Sequence, residues 1–163
     1  MQKHGHTIAF ALPNDGFIEP LKKMFPNVDI HIIPIVRPIS LINDLKALFF
    51  FIKLFKKEKF NIIHLHTPKA SLLGSIAGRI LGHPNIIFHL HGLVSLKFNV
   101  PQKGLTLLME RVPLLLSHKV ICVSKSLAQL CIDNHYISAK KIVTLAQGSI
   151  NGIDYAEKFN PNR

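Results

Sequence analysis

The chain has 163 residues, 48% of them hydrophobic, and a formal net charge of +11. Its length and hydrophobic content suffice for one globular domain with a sizeable core, and they exclude an intrinsically disordered chain. The basic excess predicts an anionic partner: a nucleic acid, a phosphorylated substrate or an acidic membrane surface.

Compartment signals favour a cytoplasmic protein. No apolar run reaches the roughly 18 residues that a membrane-spanning helix needs, and the amino terminus lacks the apolar segment of a secretory signal. Cys122 and Cys131 lie in a predicted buried strand and a predicted helix, as core cysteines of a reducing compartment do. We therefore expect a cytoplasmic localisation.

Predicted strands and helices alternate along the chain. Apolar runs of strand length occupy residues 7–12, 28–35, 61–65, 85–90, 119–123 and 141–146. Helical patterns occupy a short segment ending near 25, then 40–59, 69–81, 104–117 and 125–133, with Ser40 and Ser124 as N-caps. Residues 92–103 are predicted to be a loop. This order predicts an α/β fold, a Rossmann-like doubly wound parallel sheet with helices on both faces.

Both strands of the segment 61–92 end in a His-x-His pair. Two strands joined by one helix lie parallel with a right-handed crossover, and side chains two apart on a strand point to the same face. His64 and His66 therefore share a face of their strand, as do His89 and His91. Because open parallel sheets bind ligands at the carboxyl ends of their strands, four imidazoles are predicted near the site.

A series of further motifs follows a fixed order along the chain. They are Lys-x-Gly-His from Lys3, residues 62–70, His91-Gly92, Glu110-Arg111, residues 120–124, residues 148–154 and the Phe-Asn-Pro at 159–161. In order and spacing these motifs resemble the amino-terminal domain of glycosyltransferase family 4, the retaining, nucleotide-sugar-dependent enzymes of the GT-B type. Within that family the resemblance is to bacterial capsular and lipid-linked oligosaccharide transferases.

The resemblance implies a glycosyltransferase, specifically a hexosyltransferase, of two domains. Residues 1–154 would be the acceptor-side domain, and residues 155–163 would begin a linker to a domain that binds the sugar nucleotide. The donor would be a co-substrate, so no cofactor is implied. The acceptor would be a glycan or a polyprenyl-diphosphate-linked sugar in bacterial surface polysaccharide biosynthesis, and we expect the 163 residues alone to be inactive.

Compared with that family, the chain starts late. The family begins with a strand, a glycine-containing loop and a helix, and Met1 falls where that helix should end. The corresponding strand would lie between the strands at 7–12 and 61–65, and without it two edges would carry unpaired N–H and C=O groups. We predict that residues 7–12 pair directly with residues 62–65, or that another chain fills the gap and gives a homo-oligomer.

His91 is the predicted catalytic residue, because the resemblance puts it in the cleft near the donor sugar and the reaction centre. A neutral imidazole there can hydrogen-bond a sugar hydroxyl, and a charged one can offset phosphate charge. Gly92 permits close ligand approach. The alternative is a strand-end histidine bonded to a backbone carbonyl. His64 and His89 lie deeper in their strands and are predicted to be satisfied core histidines.

Other residues are predicted to bind substrate, chiefly the acceptor phosphate. His66, Thr67 and Lys69 lie at a strand end and a helix start, where free N–H groups and the helix dipole attract anions. In the alternative, Thr67 caps the helix and Lys69 lies in solvent. The remaining candidates are Arg111, for which a surface ion pair is the alternative, and Asn151 and Gly152 in the family's linker turn.

The paired His-x-His motifs also raise the possibility of a zinc or copper site. Neither motif contains a carboxylate or a cysteine to complete a ligand set. The resembling family catalyses transfer without a metal. We therefore expect no metal.

The helix predicted at 40–59 carries apolar residues on two sides. One stripe is predicted to pack on the sheet: Leu41, Leu45, Leu48, Ile52 and Phe55. Off this stripe, aromatic residues alternate with lysines, and the predicted membrane contacts are Phe50, Lys53, Leu54 and Lys57. A basic, aromatic face can lie on an anionic bilayer and make the protein peripheral at the inner face of the membrane. In the alternative, a neighbouring helix buries the aromatic residues and the lysines are solvated.

Three other function classes remain as alternatives. A basic α/β module could bind nucleic acid or another anionic ligand, although no stacking platform or recognisable motif supports nucleic acid, which we do not expect as a partner. A dinucleotide-dependent oxidoreductase needs a glycine fingerprint after its first strand, and none is visible. A metal-dependent hydrolase would use the histidine motifs as ligands.

Overall fold

In the computed structural model, the described residues are 4–14, 16–36, 38–93, 95, 102–146 and 148. Six strands alternate with five helices: β1 (Ala9–Leu12), α1 (Ile18–Met24), β2 (Asp29–Ile32), α2 (Leu41–Glu58), β3 (Ile63–Leu65), α3 (Pro68–Ile80), β4 (Ile86–Leu90), α4 (Gln102–Leu116), β5 (Lys119–Cys122), α5 (Lys125–Asp133) and β6 (Ile142–Thr144). The predicted order of elements is confirmed. The second strand is shorter than predicted, since Pro34 has no N–H to donate to a ladder.

All strand pairs in the described residues are parallel. β1 pairs with β2, and β3, β4, β5 and β6 form a four-stranded sheet in that order. Each parallel neighbour is reached through a helix, as parallel pairing requires. The predicted Rossmann-like α/β fold of parallel strands and helices is confirmed.

The predicted direct pairing of β1 with β3 is wrong. β1 pairs with β2, and no main-chain ladder joins the two sheets within the described ranges. The two sheets are joined by side chains instead, because Ile33, after β2, and Ile63, in β3, belong to one core cluster with Phe51 of α2. The alternative, in which another chain fills the gap, stays a prediction.

Helix α3 lies unusually close to the sheet. A Cβ atom at Gly74 would lie 2.5 Å from Leu65 Cδ2, and one at Gly78 would lie 2.7 Å from Ile86 Cδ1. Only glycine permits this approach without displacing the buried leucine and isoleucine side chains. The close packing fixes the height of α3 against the two strands that carry the His-x-His pairs.

The buried face of α2 agrees only in part with the predicted stripe, since Phe55 is buried and Leu48 and Ile52 pack against the core. Its buried residues are Ala47, Phe51, Leu54 and Phe55, whereas Leu45 is 47% exposed and Leu41 is also exposed. The face is rotated because the helix is apolar over a wide arc, and small Ala47 allows close packing. Leu54 is only 7% exposed, so its assignment as a membrane contact is wrong. Phe50 is half-buried against the core, while Lys53 and Lys57 are exposed.

A second core cluster joins β4, β5 and β6 to the helices that follow them. It contains Cys122 and Cys131, both buried and free, as the sequence predicted. Ser124 caps α5, since its hydroxyl accepts a hydrogen bond from the N–H of Leu127 at 3.1 Å. None of the helices in the described ranges combines the length and the apolarity needed to cross a bilayer.

Candidate active site

Four histidines meet at the carboxyl ends of β3 and β4. The strand register aligns Leu65 with Phe88, so the next residues along, His66 and His89, lie opposite each other across the two strands. His64 and His66 share one face because they are two residues apart, and His89 and His91 share the same face for the same reason. The predicted meeting of imidazoles is therefore confirmed, with a stagger of two residues between the motifs.

The rings form a continuous stack of contacts, which we call the imidazole cluster (His64, His66, His89 and His91). Ring centroids are 4.4 Å apart for His64 and His66, 5.1 Å for His66 and His89, and 4.7 Å for His89 and His91. One polar contact joins the two motifs, since His66 Nδ1 lies 3.1 Å from His91 Nε2. One of these two nitrogens carries the proton that the other accepts.

His64 and His89 are not the satisfied core histidines that the sequence predicted. His64 is exposed, and His89 is half-buried with a buried Nδ1 that has no hydrogen-bond partner among the described residues. Both lie on the face of the sheet opposite Leu65 and Phe88, whose side chains are buried under helices. Strand alternation, rather than depth along the strand, decides which residues enter the core.

Three of the four imidazoles, those of His64, His66 and His89, favour the uncharged form. Desolvation lowers the pKa of His66 from 6.5 to about 4, and the neighbouring histidines lower it further. Desolvation is also the main cause that lowers the pKa values of His64 and His89; charge repulsion from His89 and His91 adds to it at His64, and repulsion from His91 adds to it at His89. Burial and mutual repulsion therefore favour the neutral rings of His64, His66 and His89, each of which offers one N–H donor and one nitrogen lone pair.

After β4, His91 and Gly92 are open, and Ser95 is bound by a buried carboxylate. His91 and Gly92 are exposed, and apart from its chain neighbours no described residue has an atom within 4 Å of a Cβ built on Gly92. The Ser95 N–H donates to Glu110 Oε1 at 3.2 Å, and the Ser95 hydroxyl donates to Glu110 Oε2 at 2.6 Å. Glu110 is only 1% exposed. Its role as the partner of Ser95 was missed from the sequence, where Glu110 was noted only as part of the Glu110-Arg111 motif.

Lys69 is engaged within the protein, which neither of its predicted roles anticipated. Its Nζ donates to Asp44 Oδ1 at 2.8 Å and to the carbonyl oxygens of Val36 at 2.9 Å and Pro38 at 2.6 Å. The ammonium therefore links the start of α3 to the loop before α2 instead of facing a phosphate or solvent. Thr67 is exposed with φ of 65°, and its side chain makes no capping bond.

Among the other predicted binding residues, Arg111 is the one that the structure describes, and it contacts an aromatic ring. The Arg111 guanidinium lies 4.9 Å from the ring centroid of Tyr136, a cation–π contact beyond the carboxyl end of α5. Because α5 begins at the carboxyl end of β5 and runs back along the sheet, this contact lies toward the opposite edge from His91. Asn151 and Gly152 lie outside the described residues.

Chemically, the site offers hydrogen-bonding groups and nitrogen ligands. His91 and His66 can donate to and accept from a sugar hydroxyl, with Gly92 leaving space for the ligand. His64, His66 and His89 each have a ring nitrogen within 4.8 Å of the others, a spacing that could hold a metal ion.

Sequence comparison identifies the relatives of the chain. The sequence profile of Glycosyltransferase Family 4 matches residues 1–149. The capsular polysaccharide biosynthesis glycosyltransferase CapM of Staphylococcus aureus is 37% identical over 137 residues, which are 84% of this chain and 36% of CapM. The UDP-Gal:alpha-D-GlcNAc-diphosphoundecaprenol alpha-1,3-galactosyltransferase of Escherichia coli is 34% identical over 128 residues, which are 77% of this chain and 31% of that enzyme. The chain thus spans about a third of the length of these curated relatives.

Solved structures share the fold. MurG of Acinetobacter baumannii superposes with a TM-score of 0.58 at 20% identity, covering 96% of this chain and 40% of MurG. UDP-N-acetylglucosamine 2-epimerase of Rickettsia bellii superposes with a TM-score of 0.59 at 13% identity, covering 85% of this chain and 36% of the epimerase. At these identities the likeness concerns the fold alone. The nucleic-acid, oxidoreductase and hydrolase alternatives find no support in any of these comparisons.

Proposed function

Because this chain belongs to glycosyltransferase family 4, we propose that it forms the acceptor-side domain of a retaining, nucleotide-sugar-dependent transferase of bacterial surface polysaccharide assembly. The observation that carries this proposal is the exposed His91, in contact with His66 at the carboxyl ends of β3 and β4. In open parallel sheets this edge is where ligands bind.

The acceptor we propose is a sugar linked to a polyprenyl diphosphate. Support comes from the Escherichia coli relative, whose name specifies a diphosphoundecaprenol-linked GlcNAc, and from the net charge of +11, which favours an anionic ligand. The nucleotide sugar would enter as a co-substrate held mainly by a second domain, so the transfer itself would need no resident cofactor.

In this reaction the cluster would act through hydrogen bonds from its ring nitrogens. In either tautomer of the His66–His91 pair, one ring nitrogen of His91 remains to bond a sugar hydroxyl. A fixed hydrogen-bond partner at the reaction centre lowers the barrier when it is already oriented. The departing nucleotide diphosphate would be stabilised by protein dipoles and cations around the cleft.

Acceptor binding tests this proposal on the chain itself. The probe is a short-prenyl, water-soluble analogue of GlcNAc-diphosphoprenol, titrated by isothermal calorimetry. We expect His91→Gln to weaken binding about tenfold, equivalent to about 1.4 kcal/mol. The matched control is His135→Asn, because His135 is exposed in a turn with φ of 53°, a conformation that asparagine tolerates. No binding by the parent chain, or equal binding by His91→Gln, would refute the acceptor role.

The proposed location is the inner face of the membrane, with α2 as the contact. Its exposed side carries Ile42, Leu45 and Phe49, the last 62% exposed, beside the exposed Lys46 and Lys53. Apolar side chains flanked by lysines suit the surface of an anionic bilayer. This face differs from the one expected from the sequence, since Leu54 is buried, but it retains Lys53 and uses Phe49 in place of Phe50.

Vesicle sedimentation tests the membrane contact. The chain should sediment with phosphatidylglycerol vesicles and much less with phosphatidylcholine vesicles, and salt should weaken the association. The double variant Lys46→Glu/Lys53→Glu should lose most of it. The control Lys23→Glu/Lys140→Glu also reverses two exposed charges, but in α1 and before β6, and should change it little. Equal losses in the two variants would mean that net charge, rather than this face, causes binding.

A further inference from the structure

We propose that His64, His66 and His89 form a binding site for a divalent transition metal such as Zn²⁺. A ring nitrogen of each lies within 4.8 Å of those of the other two, and this is the one such group of three in the part of the chain that the structure describes. The site shares His66 with the proposed acceptor site but depends on different atoms and does not rest on the transferase proposal.

The two strands bring the three rings into contact with one another. His64 and His66 project from one strand and His89 from its neighbour, and the His64 and His89 rings are stacked at 5.4 Å with an angle of 7°. In a tetrahedral zinc site, ligand nitrogens about 2.0–2.1 Å from the metal are roughly 3.4 Å apart. Modest rotation of the side chains would close the remaining distance without moving the sheet.

An unsatisfied polar atom points to a missing ligand. His89 Nδ1 is buried and has no hydrogen-bond partner in the described ranges. Buried nitrogens without a partner are uncommon, because losing hydration without a replacement bond is unfavourable. A metal ion bound to this atom would provide that partner.

His91 would orient one of the ligands. Because His66 Nδ1 contacts His91 Nε2, the Nε2 atom of His66 is the one available to the metal. Metal-bound histidines commonly have such a partner on the second ring nitrogen, which fixes the ring. Loading the metal would therefore restrict His66 and, through it, the predicted catalytic His91.

The donor set determines which metals fit. Three imidazoles without a carboxylate match Zn²⁺, Co²⁺, Ni²⁺ or Cu²⁺, with the fourth position left to water. Mg²⁺ and Ca²⁺ prefer oxygen ligands and should not bind here. From the sequence alone, the absence of a carboxylate argued against a metal. In the structure, it instead predicts that the site prefers transition metals to Mg²⁺ and Ca²⁺.

Calorimetric titration with ZnCl₂, and with CoCl₂ followed by visible absorption, tests the site on the whole chain. We expect one ion per chain, a tetrahedral Co²⁺ spectrum, and a higher melting temperature with Zn²⁺ because the ion binds only the folded state. His64→Gln and His89→Gln should each weaken binding at least tenfold, whereas His135→Asn should not change it.

Several results would overturn the proposal. They are no Zn²⁺ binding by the folded parent chain, unchanged affinity in His64→Gln, or equal binding of Mg²⁺. His64 is exposed, so its glutamine variant should fold even if His89→Gln does not. Failure of acceptor binding with intact Zn²⁺ binding would refute the acceptor role alone, and the reverse result would refute the metal site alone.

Discussion

Replacing Leu54 by alanine should lower the free energy of unfolding by about 2–5 kcal/mol, the range for buried leucine truncations. Leu54 is 7% exposed and belongs to the core cluster that includes Phe51 and Ile63. Transfer of a buried leucine side chain accounts for roughly 1.5–3 kcal/mol, and the cavity adds to this because neighbours relax only partly.

Leu45→Ala is the matched control, because it makes the same chemical change in the same helix at a position that is 47% exposed. We expect it to change the unfolding free energy by no more than about 0.5 kcal/mol. Urea denaturation followed by circular dichroism measures both variants. Equal effects, or a larger loss in Leu45→Ala, would mean that α2 packs through the stripe expected from the sequence and would refute the assignment of its faces.

Three further outcomes are expected. In urea denaturation, Gly148→Ala should destabilise the chain more than Gly16→Ala. Both glycines have positive φ (88° and 82°), but of the two only Gly148 would bring a Cβ against a backbone oxygen, at 2.7 Å. Equal losses of stability would mean that the positive φ alone matters. A double-mutant cycle of Lys69→Met and Asp44→Asn should give a coupling in the free energy of unfolding of about 1–3 kcal/mol. This exceeds the roughly 0.5 kcal/mol typical of exposed pairs, because both side chains are largely buried. A smaller coupling would mean that the ion pair does not stabilise the fold. The folded state lowers the pKa of His66 from 6.5 to about 4, so the unfolded state takes up the proton first as the pH falls. The contribution of His66 to stability is therefore present above pH 6.5 and is lost as the pH falls toward 4. Between these pH values the unfolding free energy should fall less in His66→Gln than in the parent chain, and an equal slope in the two would contradict the shift.

The local sequence determined where the helices and strands lie and which side chains of a strand share a face. Apolar runs of strand length, helical spacing and the cap at Ser124 depend on neighbours within a few residues, so they can be read without knowing the fold. The alternation of a strand likewise put His64 with His66 and His89 with His91. These facts, with the order of motifs, indicated the Rossmann-like fold and the family.

The tertiary structure decided the relations between elements. The register of β3 and β4 set His66, rather than His64, opposite His89, because α3 packs against both strands at Gly74 and Gly78. Residues far away in sequence also determine which face of α2 is buried, and they place Lys69 in contact with Asp44. Periodicity shows that a helix has apolar sides and a strand has two faces. Which side or face is buried depends on the elements that pack against it from distant parts of the chain. Such long-range contacts produce no pattern in the local sequence.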